Sequence, residues 1–245
     1  MNSREEIYRR YTSTSALAGS LSEKAELAWT KGYIRKSIAP FLPKDKNASI
    51  LEIGCGFGIC LKNLAELGYS DCRGIDISDE QINYAKEVFH LGNVQKANAI
   101  DFLSDKTDRF DCILALDVLE HFDLNQLMGL GTKIAFSLKS GGSLVVQVPN
   151  GGAPMNPYIY GDLTHVRGFS VKSLQQFFLL IGLTPYGFAS IPPYVHNISS
   201  FIRNAAWRFF LHPIIHSTMV VMNGTNAHGI YTANFIGAAR KQQGD

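Results

Sequence analysis

The sequence predicts an α/β fold with a parallel sheet, and three observations predict it. From residue 49 onward, short apolar runs alternate with longer amphipathic stretches. A glycine-rich turn, GCGFG, directly follows the first run, and an acidic residue closes the second, in GIDIS. Parallel neighbours need a crossover of about a dozen residues or more, and the alternation supplies one between successive runs.

Residues 1–20 are polar and Ser/Thr-rich, with Tyr8 and Tyr11 among arginines, and 22–40 reads as an amphipathic helix closed near Pro40. Strands are expected near 49–54, 72–77, 93–97, 111–117 and 143–148, with helices near 58–68, 79–88 and 123–138. After Pro149 a Gly- and Pro-rich loop, NGGAPMNPYIYGDLTHVRGFS, leads to a helix at 171–182 that Ser170 can cap. A strand at 184–189 follows. Ile198, Phe201, Ile202, Ala205 and Phe209 then fall at helical spacing within 198–222, which Pro213 interrupts. The last strand is expected at 229–239. The chain thus divides into an N-terminal helical cap (1–48), a core (49–190), a hydrophobic helical insertion (191–228) and a final strand with its tail (229–245).

A chain of 245 residues is long enough for one large core, and 46% hydrophobic with 18% charged residues excludes a disordered or collagen-like polymer. The formal charge of +2 comes without a Lys or Arg block, so electrostatics does not call for a nucleic-acid partner. Cys55, Cys60, Cys72 and Cys112 are spaced too irregularly for a zinc knuckle and read as free buried thiols in a reducing compartment. No set of metal ligands is read from the chain. The N-terminus lacks the apolar stretch of a secretion signal and no long apolar run occurs, so a cytoplasmic location is expected, with peripheral contact at the inner membrane face left open.

Glycines placed after a strand let a ligand approach the backbone, and the next helix presents free N–H groups. The order G-x-G-x-G lacks the lysine of a phosphate-binding loop. Asp76, at the end of the second strand, can accept both hydroxyls of a ribose, and NAD and S-adenosylmethionine both carry one. Glu52 favours the latter, because a carboxylate three residues before the turn repels a pyrophosphate and attracts a cation.

The stretches LEIGCGFG, GIDIS, FDCILALDVLEHF and KSGGSLVVQVPN together resemble the successive signature motifs of class I S-adenosylmethionine-dependent methyltransferases, over residues 49–150. The resemblance implies a Rossmann-like sheet of seven strands, the last antiparallel, with helices on both faces and the cofactor, S-adenosyl-L-methionine, across the carboxyl ends of the first strands. It implies that Glu52, Gly54, Cys55, Gly56 and Gly58 surround the methionine part, that Asp76 holds the ribose, and that Ile77 touches the adenine. Asn98 and Ala99 stand at the adenine rim where the family usually has an acid, and Asp101 is the nearby rival. Leu116, Asp117 and Val118 end the fourth strand below the departing methyl. His121 is then either a base or substrate-side donor, or a residue that orders its loop, and Glu120 reads as a helix-starting residue.

The acceptor side lies in residues 157–170, where Tyr158, Tyr160, Asp162, Thr164, His165 and Arg167 crowd one loop. This loop resembles the branch of the family found with bacterial polysaccharide and glycoconjugate biosynthesis. That implies His165 as base for a sugar hydroxyl, Asp162 as the carboxylate that orients it, and Tyr158, Tyr160, Thr164 and Arg167 as substrate contacts. The plain alternative is that Asp162 and His165 fasten the loop. The NPPY-like signature of amino methylation is replaced by ALDVLE, which favours an oxygen acceptor. Segment 198–222 is compatible with a lid, a homodimer contact or an interfacial helix. Two other readings stay open: a methyltransferase for another small metabolite or carboxylate, and a degenerate fold kept as a binding subunit.

Overall fold

Strand β1 (Ser49–Ile53) is buried at every position, as a strand must be when helices cover both faces of its sheet. It pairs in parallel with β2 (Asp71–Asp76) on one side and β4 (Phe110–Leu116) on the other. A computed structural model describes residues 30–243 except 155, 194, 196 and 225; the expectations for residues 1–29 lie outside the described residues. Outward from β2 comes β3 (Val94–Lys96), and outward from β4 comes β5 (Leu138–Pro149). Strand β7 (Asn234–Lys241) then runs antiparallel between β5 and β6 (Leu183–Ser190). The seven-stranded order is β3-β2-β1-β4-β5-β7-β6, the Rossmann-like arrangement expected. Its direction of winding reverses between β1 and β4, and such sheets bind ligands at that crevice.

Helices α1 (Ile59–Glu66), α2 (Asp79–Glu87), α3 (Ala99–Leu103), α4 (Leu124–Ser137) and α5 (Val171–Leu180) flank the sheet. Their starts are chemically marked. Ser78 accepts from the Gln81 N–H, while Asp123 with Gln126 and Ser170 with Ser173 form reciprocal capping boxes. Alternation along β1 separates two cores: Leu51 and Ile53 pack with α4 and α5, whereas Ile50 faces α1, α2 and the helical turns that carry Ile34 and Ile38.

Three boundaries differ from expectation. Strand β5 begins earlier because Leu138 pairs with Phe110 ahead of a register shift. Strand β7 begins later, after the turn Ala227–Gly229, and continues through Arg240 and Lys241, which pair with Ser143 and Leu183 at the sheet's end. The hydrophobic excursion forms α6 (Ile198–Ala206) and α7 (His212–Asn223), joined by a π-helical turn, Trp207–Leu211. Pro213 therefore does not end the helical path. It stands in the first turn of α7, and the wider π turn before it accommodates the missing N–H and the ring. Among the described residues no helix is long and apolar enough to cross a membrane.

Candidate functional site

The glycine turn is held by sterics and by β2. Gly54 and Cys55 donate their N–H groups to the Ile75 carbonyl at 2.8 and 3.0 Å. Gly54, Gly56 and Gly58 all have positive φ, at 69°, 53° and 77°. A Cβ on Gly54 would in addition lie 2.5 Å from Val118 Cγ2, so this glycine also sets how closely the turn approaches the end of β4.

Three acids gather around this turn. Asp76 accepts from the Gly56 N–H at 3.0 Å through one oxygen and from the Ser78 N–H at 2.8 Å through the other. Burial raises its pKa, and these N–H donors hold the rise in check. The carboxylate is locked in place with lone pairs left over for hydroxyl donors. Glu52 is 3% exposed and its Oε2 has no hydrogen-bond partner. Burial, with a contribution from the Asp76 charge, pushes its carboxyl up to about 8, opposed by the Cys60 thiol beside it. Asp117 takes a left-handed backbone conformation, φ 54°, directly after β4, a strain that functional turns often carry. Its side chain accepts from Gln147 Nε2 and from Asn234 Nδ2, and Gln147 in turn accepts from the Tyr33 hydroxyl. Although the residue is exposed, the protein groups packed around its carboxyl strip water from it and push Asp117 up to about 6, with the Gln147 bond opposing.

Among the described residues no Lys or Arg forms an ion pair with Glu52, Asp76 or Asp117. A cluster of acids of this kind, one of them buried, is costly by itself and suited to a cationic ligand. The orphaned Glu52 oxygen and the turn with its three glycines therefore fit the ammonium and sulfonium of S-adenosyl-L-methionine and disfavour a pyrophosphate. At the far end, Ile77 is 41% exposed, an apolar surface that can receive a flat ring. The Asn98 carbonyl caps α3, accepting from the Ile100 and Asp101 N–H groups at 2.9 and 3.4 Å, so it is its amide N–H groups that remain to meet an adenine. Ala99 opens α3 beside it.

On the other side of Asp117 the loop between β5 and α5 folds back onto the end of β4. The Val166 N–H donates to the Glu120 carbonyl at 2.8 Å, and Asn150 and Phe169 bridge the loop's base. The rings of His121 and His165 meet edge to face at 4.8 Å between centroids. Asp162 turns its side chain to Thr164, and its main-chain carbonyl accepts from the His165 N–H at 3.2 Å. Its Oδ1 accepts from Thr164 N at 2.8 Å and Oγ1 at 2.6 Å, and Thr164 Oγ1 lies 2.8 Å from His121 Nδ1. Because the Thr164 proton goes to Asp162, His121 Nδ1 is the donor to Thr164. His165 Nδ1 donates to the Ile159 carbonyl at 3.2 Å. Thr164 is buried by this role, whereas Tyr160 is 90% exposed at the loop's tip. Arg167 holds a buried Nε without a hydrogen-bond partner, and the Tyr158 side chain lies outside what the structure describes.

Glu120 corrects its expectation. It sits in the short turn Leu119–His121, Asp123 caps the helix instead, and Glu120 is fully buried. Its Oε1 lies 3.9 Å from His165 Nε2, and neither carboxylate oxygen accepts a hydrogen bond. Burial first, then the charges of Asp117 and Asp162, push it up to about 9. Tyr33 and Asn234 lie outside the quoted motifs, Gln147 lies inside KSGGSLVVQVPN without being singled out there, and none of the three was foreseen as a site residue. A separate groove of 670 Å³, lined by Arg73, Asn93, Gln95, Asp101, Phe102 and Lys106 among others, lies against the β3 edge and includes none of these acids or histidines.

Residues 27–186 match the family model described as a methyltransferase domain. The chain is similar to a ubiquinone biosynthesis O-methyltransferase of Bartonella quintana, 33% identical over 138 residues, covering 53% of this chain and 50% of that protein. It is also similar to a ribosomal protein L11 methyltransferase of Lactobacillus gasseri, 36% identical over 99 residues, covering 38% of this chain and 31% of that protein. The chain thus spans half or less of the length of these curated relatives. Among solved structures, a SAM-dependent methyltransferase from Archaeoglobus fulgidus superposes with a TM-score of 0.63 at 19% identity, covering 96% of this chain and 99% of that one; this likeness concerns the fold.

Proposed function

Since the chain belongs to the methyltransferase-domain family, matched over residues 27–186, we propose that it transfers a methyl group from S-adenosyl-L-methionine to a hydroxyl oxygen of a small molecule. The observation that carries this reading is the set of three carboxyls around a glycine turn, a buried Glu52, a half-buried Asp76 and an exposed Asp117, without an ion-pairing Lys or Arg among the described residues. When bound, the cofactor supplies an electrophilic methyl on a positively charged sulfur. Glu52 compensates the ammonium, the turn Gly54–Gly58 with Cys55 shapes the methionine end, and Asp76 grips the ribose. Ile77, Asn98 and Ala99 border the adenine, and Asp117 with Val118 forms the floor beneath the reacting centre.

In-line alignment supplies much of the catalysis in such a displacement, and a hydroxyl acceptor also needs a group to manage its proton. The Glu120–His121–His165 cluster is proposed for that task, with His121 positioned by Asp162 through Thr164. Tyr160 and Arg167 are proposed to meet the acceptor from the loop. The O-methyltransferase relatives favour oxygen over nitrogen as acceptor.

The finer reading is an acceptor joined to a lipid or glycan. It is favoured by the apolar side chains that α6, α7 and the turn between them leave exposed, including Ile198 at 80%, Phe201 at 61% and Phe209 at 67%. Such a face suits the membrane surface on which a lipid-linked sugar is carried. In this reading the 191–228 insertion carries the acceptor and the surrounding core carries the cofactor. The test is incubation with methyl-labelled S-adenosyl-L-methionine and separated glycan, lipid and small-metabolite fractions, scored for the fraction that takes label. Label confined to protein or RNA would overturn the acceptor class. Cofactor binding without label in any fraction would favour a binding subunit.

A further inference from the structure

We propose that Glu120, His121 and His165 bind one divalent transition cation of the zinc or manganese class, which takes the acceptor hydroxyl as an additional ligand. The proposal rests on the O-methyl transfer reading above and names the device by which that hydroxyl is ionised.

The three residues offer ligand atoms that all lie within 4.8 Å of one another. Glu120 is fully buried, and both of its oxygens are without a hydrogen-bond partner. Asp117 and Asp162 add negative field nearby, and no described Lys or Arg forms an ion pair with any of the three acids. Once ionised, a carboxylate buried in such a place needs a positive partner, and the structure supplies none from its described side chains beyond the imidazole at 3.9 Å.

The imidazoles are set for ligation. His165 Nδ1 donates to the Ile159 carbonyl and His121 Nδ1 donates to Thr164, whose own proton goes to Asp162. Each ring is thereby held in the tautomer whose Nε2 carries the lone pair. Metal-binding histidines are oriented in this way, by a carbonyl or a carboxylate behind the ring. Two imidazoles and one carboxylate leave open positions, the pattern of a reactive site and not of a closed structural one. Nitrogen ligands select zinc, manganese, iron or cobalt over magnesium and calcium, which prefer oxygen. Bonds of about 2.1 Å place ligand atoms roughly 3.4 Å apart. The three side chains must therefore draw together by about an ångström, within reach of their torsions.

On the cation the acceptor oxygen would replace a water, its pKa would fall, and its proton would pass to solvent. Its lone pair then forms the new C–O bond while the C–S electron pair leaves with sulfur, which becomes neutral. The imidazoles act here as ligands, and no side chain has to store the proton.

The test uses the untagged full chain, stripped with a chelator and titrated calorimetrically with Zn²⁺, Mn²⁺ and Mg²⁺, and separately with Co²⁺ followed by visible absorption. One equivalent of Zn²⁺, with Co²⁺ bands of nitrogen and oxygen ligation, is expected, while Mg²⁺ binds far more weakly. E120Q and H165A should each weaken Zn²⁺ binding at least about 100-fold, and T164V about tenfold, as loss of a supporting hydrogen bond does. Retained binding of S-adenosylhomocysteine certifies that each variant is folded; should one fail, T164V carries the comparison. No stoichiometric binding, binding indifferent to all three substitutions, or Co²⁺ absorption showing thiolate ligation would overturn the site. Methyl transfer that persists in the stripped protein would sink the cation and leave the transferase reading standing. Cation binding without any labelled acceptor would do the reverse.

Discussion

Between pH 6 and pH 8 the affinity for S-adenosyl-L-methionine should rise with pH, and Glu52 is the cause. Its carboxyl is buried, has one oxygen without a partner, and is pushed from 4.5 up to about 8 in the cofactor-free protein. A cation bound beside it favours the ionised form, so binding must release the proton. With a pKa near 8 before binding and a return to the ordinary range after it, about 0.9 proton leaves per cofactor at pH 7. The affinity should then climb about tenfold from pH 6 to 7 and about fivefold from pH 7 to 8. The ligand's own amino group, with an ordinary pKa of about 8, loses its proton over that second interval, so the net rise from pH 7 to 8 is cut to about two- to threefold and ends there. Calorimetry in buffers of different ionisation enthalpy counts the released proton directly. E52Q is the control, because it keeps the ligand's titration and removes the protein's. A wild-type affinity flat from pH 6 to 7 without proton release, or an E52Q slope equal to the wild type's, would refute the reasoning. The same shift has a stability counterpart of defined sign. Between 4.5 and about 8 the folded, cofactor-free chain holds a proton that the unfolded chain has lost. Its stability therefore falls as pH rises through that window, by up to about 1.4 kcal/mol per unit, and E52Q should flatten the curve.

Gly54→Ala should cost about 1–3 kcal/mol and abolish cofactor binding, because its Cβ meets Val118 Cγ2 at 2.5 Å on a backbone with φ 69°. Adding Val118→Ala should recover part of the melting temperature, and no recovery would show that the contact is not the cause. Asp76→Ala removes the anchor for the Gly56 and Ser78 N–H groups together with the ribose acceptor, so calorimetry should show cofactor affinity lowered about 10- to 100-fold. His165→Ala should leave cofactor affinity within about twofold and lower turnover on the true acceptor about 100-fold or more. Unchanged turnover would remove His165 from the acceptor side.

The legible part of this protein is local in origin. Positive φ at Gly54, Gly56 and Gly58 leaves a glycine signature after a strand, and the β1–β2 crossover brings Asp76 onto that turn through the Gly56 N–H. Capping residues such as Asp123 and Ser170 announce their helices within three positions. Seven strands with the last antiparallel were implied by the family resemblance, which rests on motifs that each span a few residues, and the order of the strands came from the structure. Pro213 was readable as a break, yet its consequence was not, because a π turn upstream absorbs it.

By itself, the chain of letters determined the class of sheet, the glycine turn and the ribose-side acid, since each depends on backbone geometry or a short crossover. Only the tertiary structure decided that Tyr33 reaches Asp117 through Gln147, that Thr164 seats on His121, and that Glu120 is enclosed beside two imidazoles. The physical reason is that burial and partnership of a polar side chain are set by what packs over it. Here the covering groups come from a helical segment and a loop far away in sequence, at separations of 114 and 43 residues, which no local pattern records.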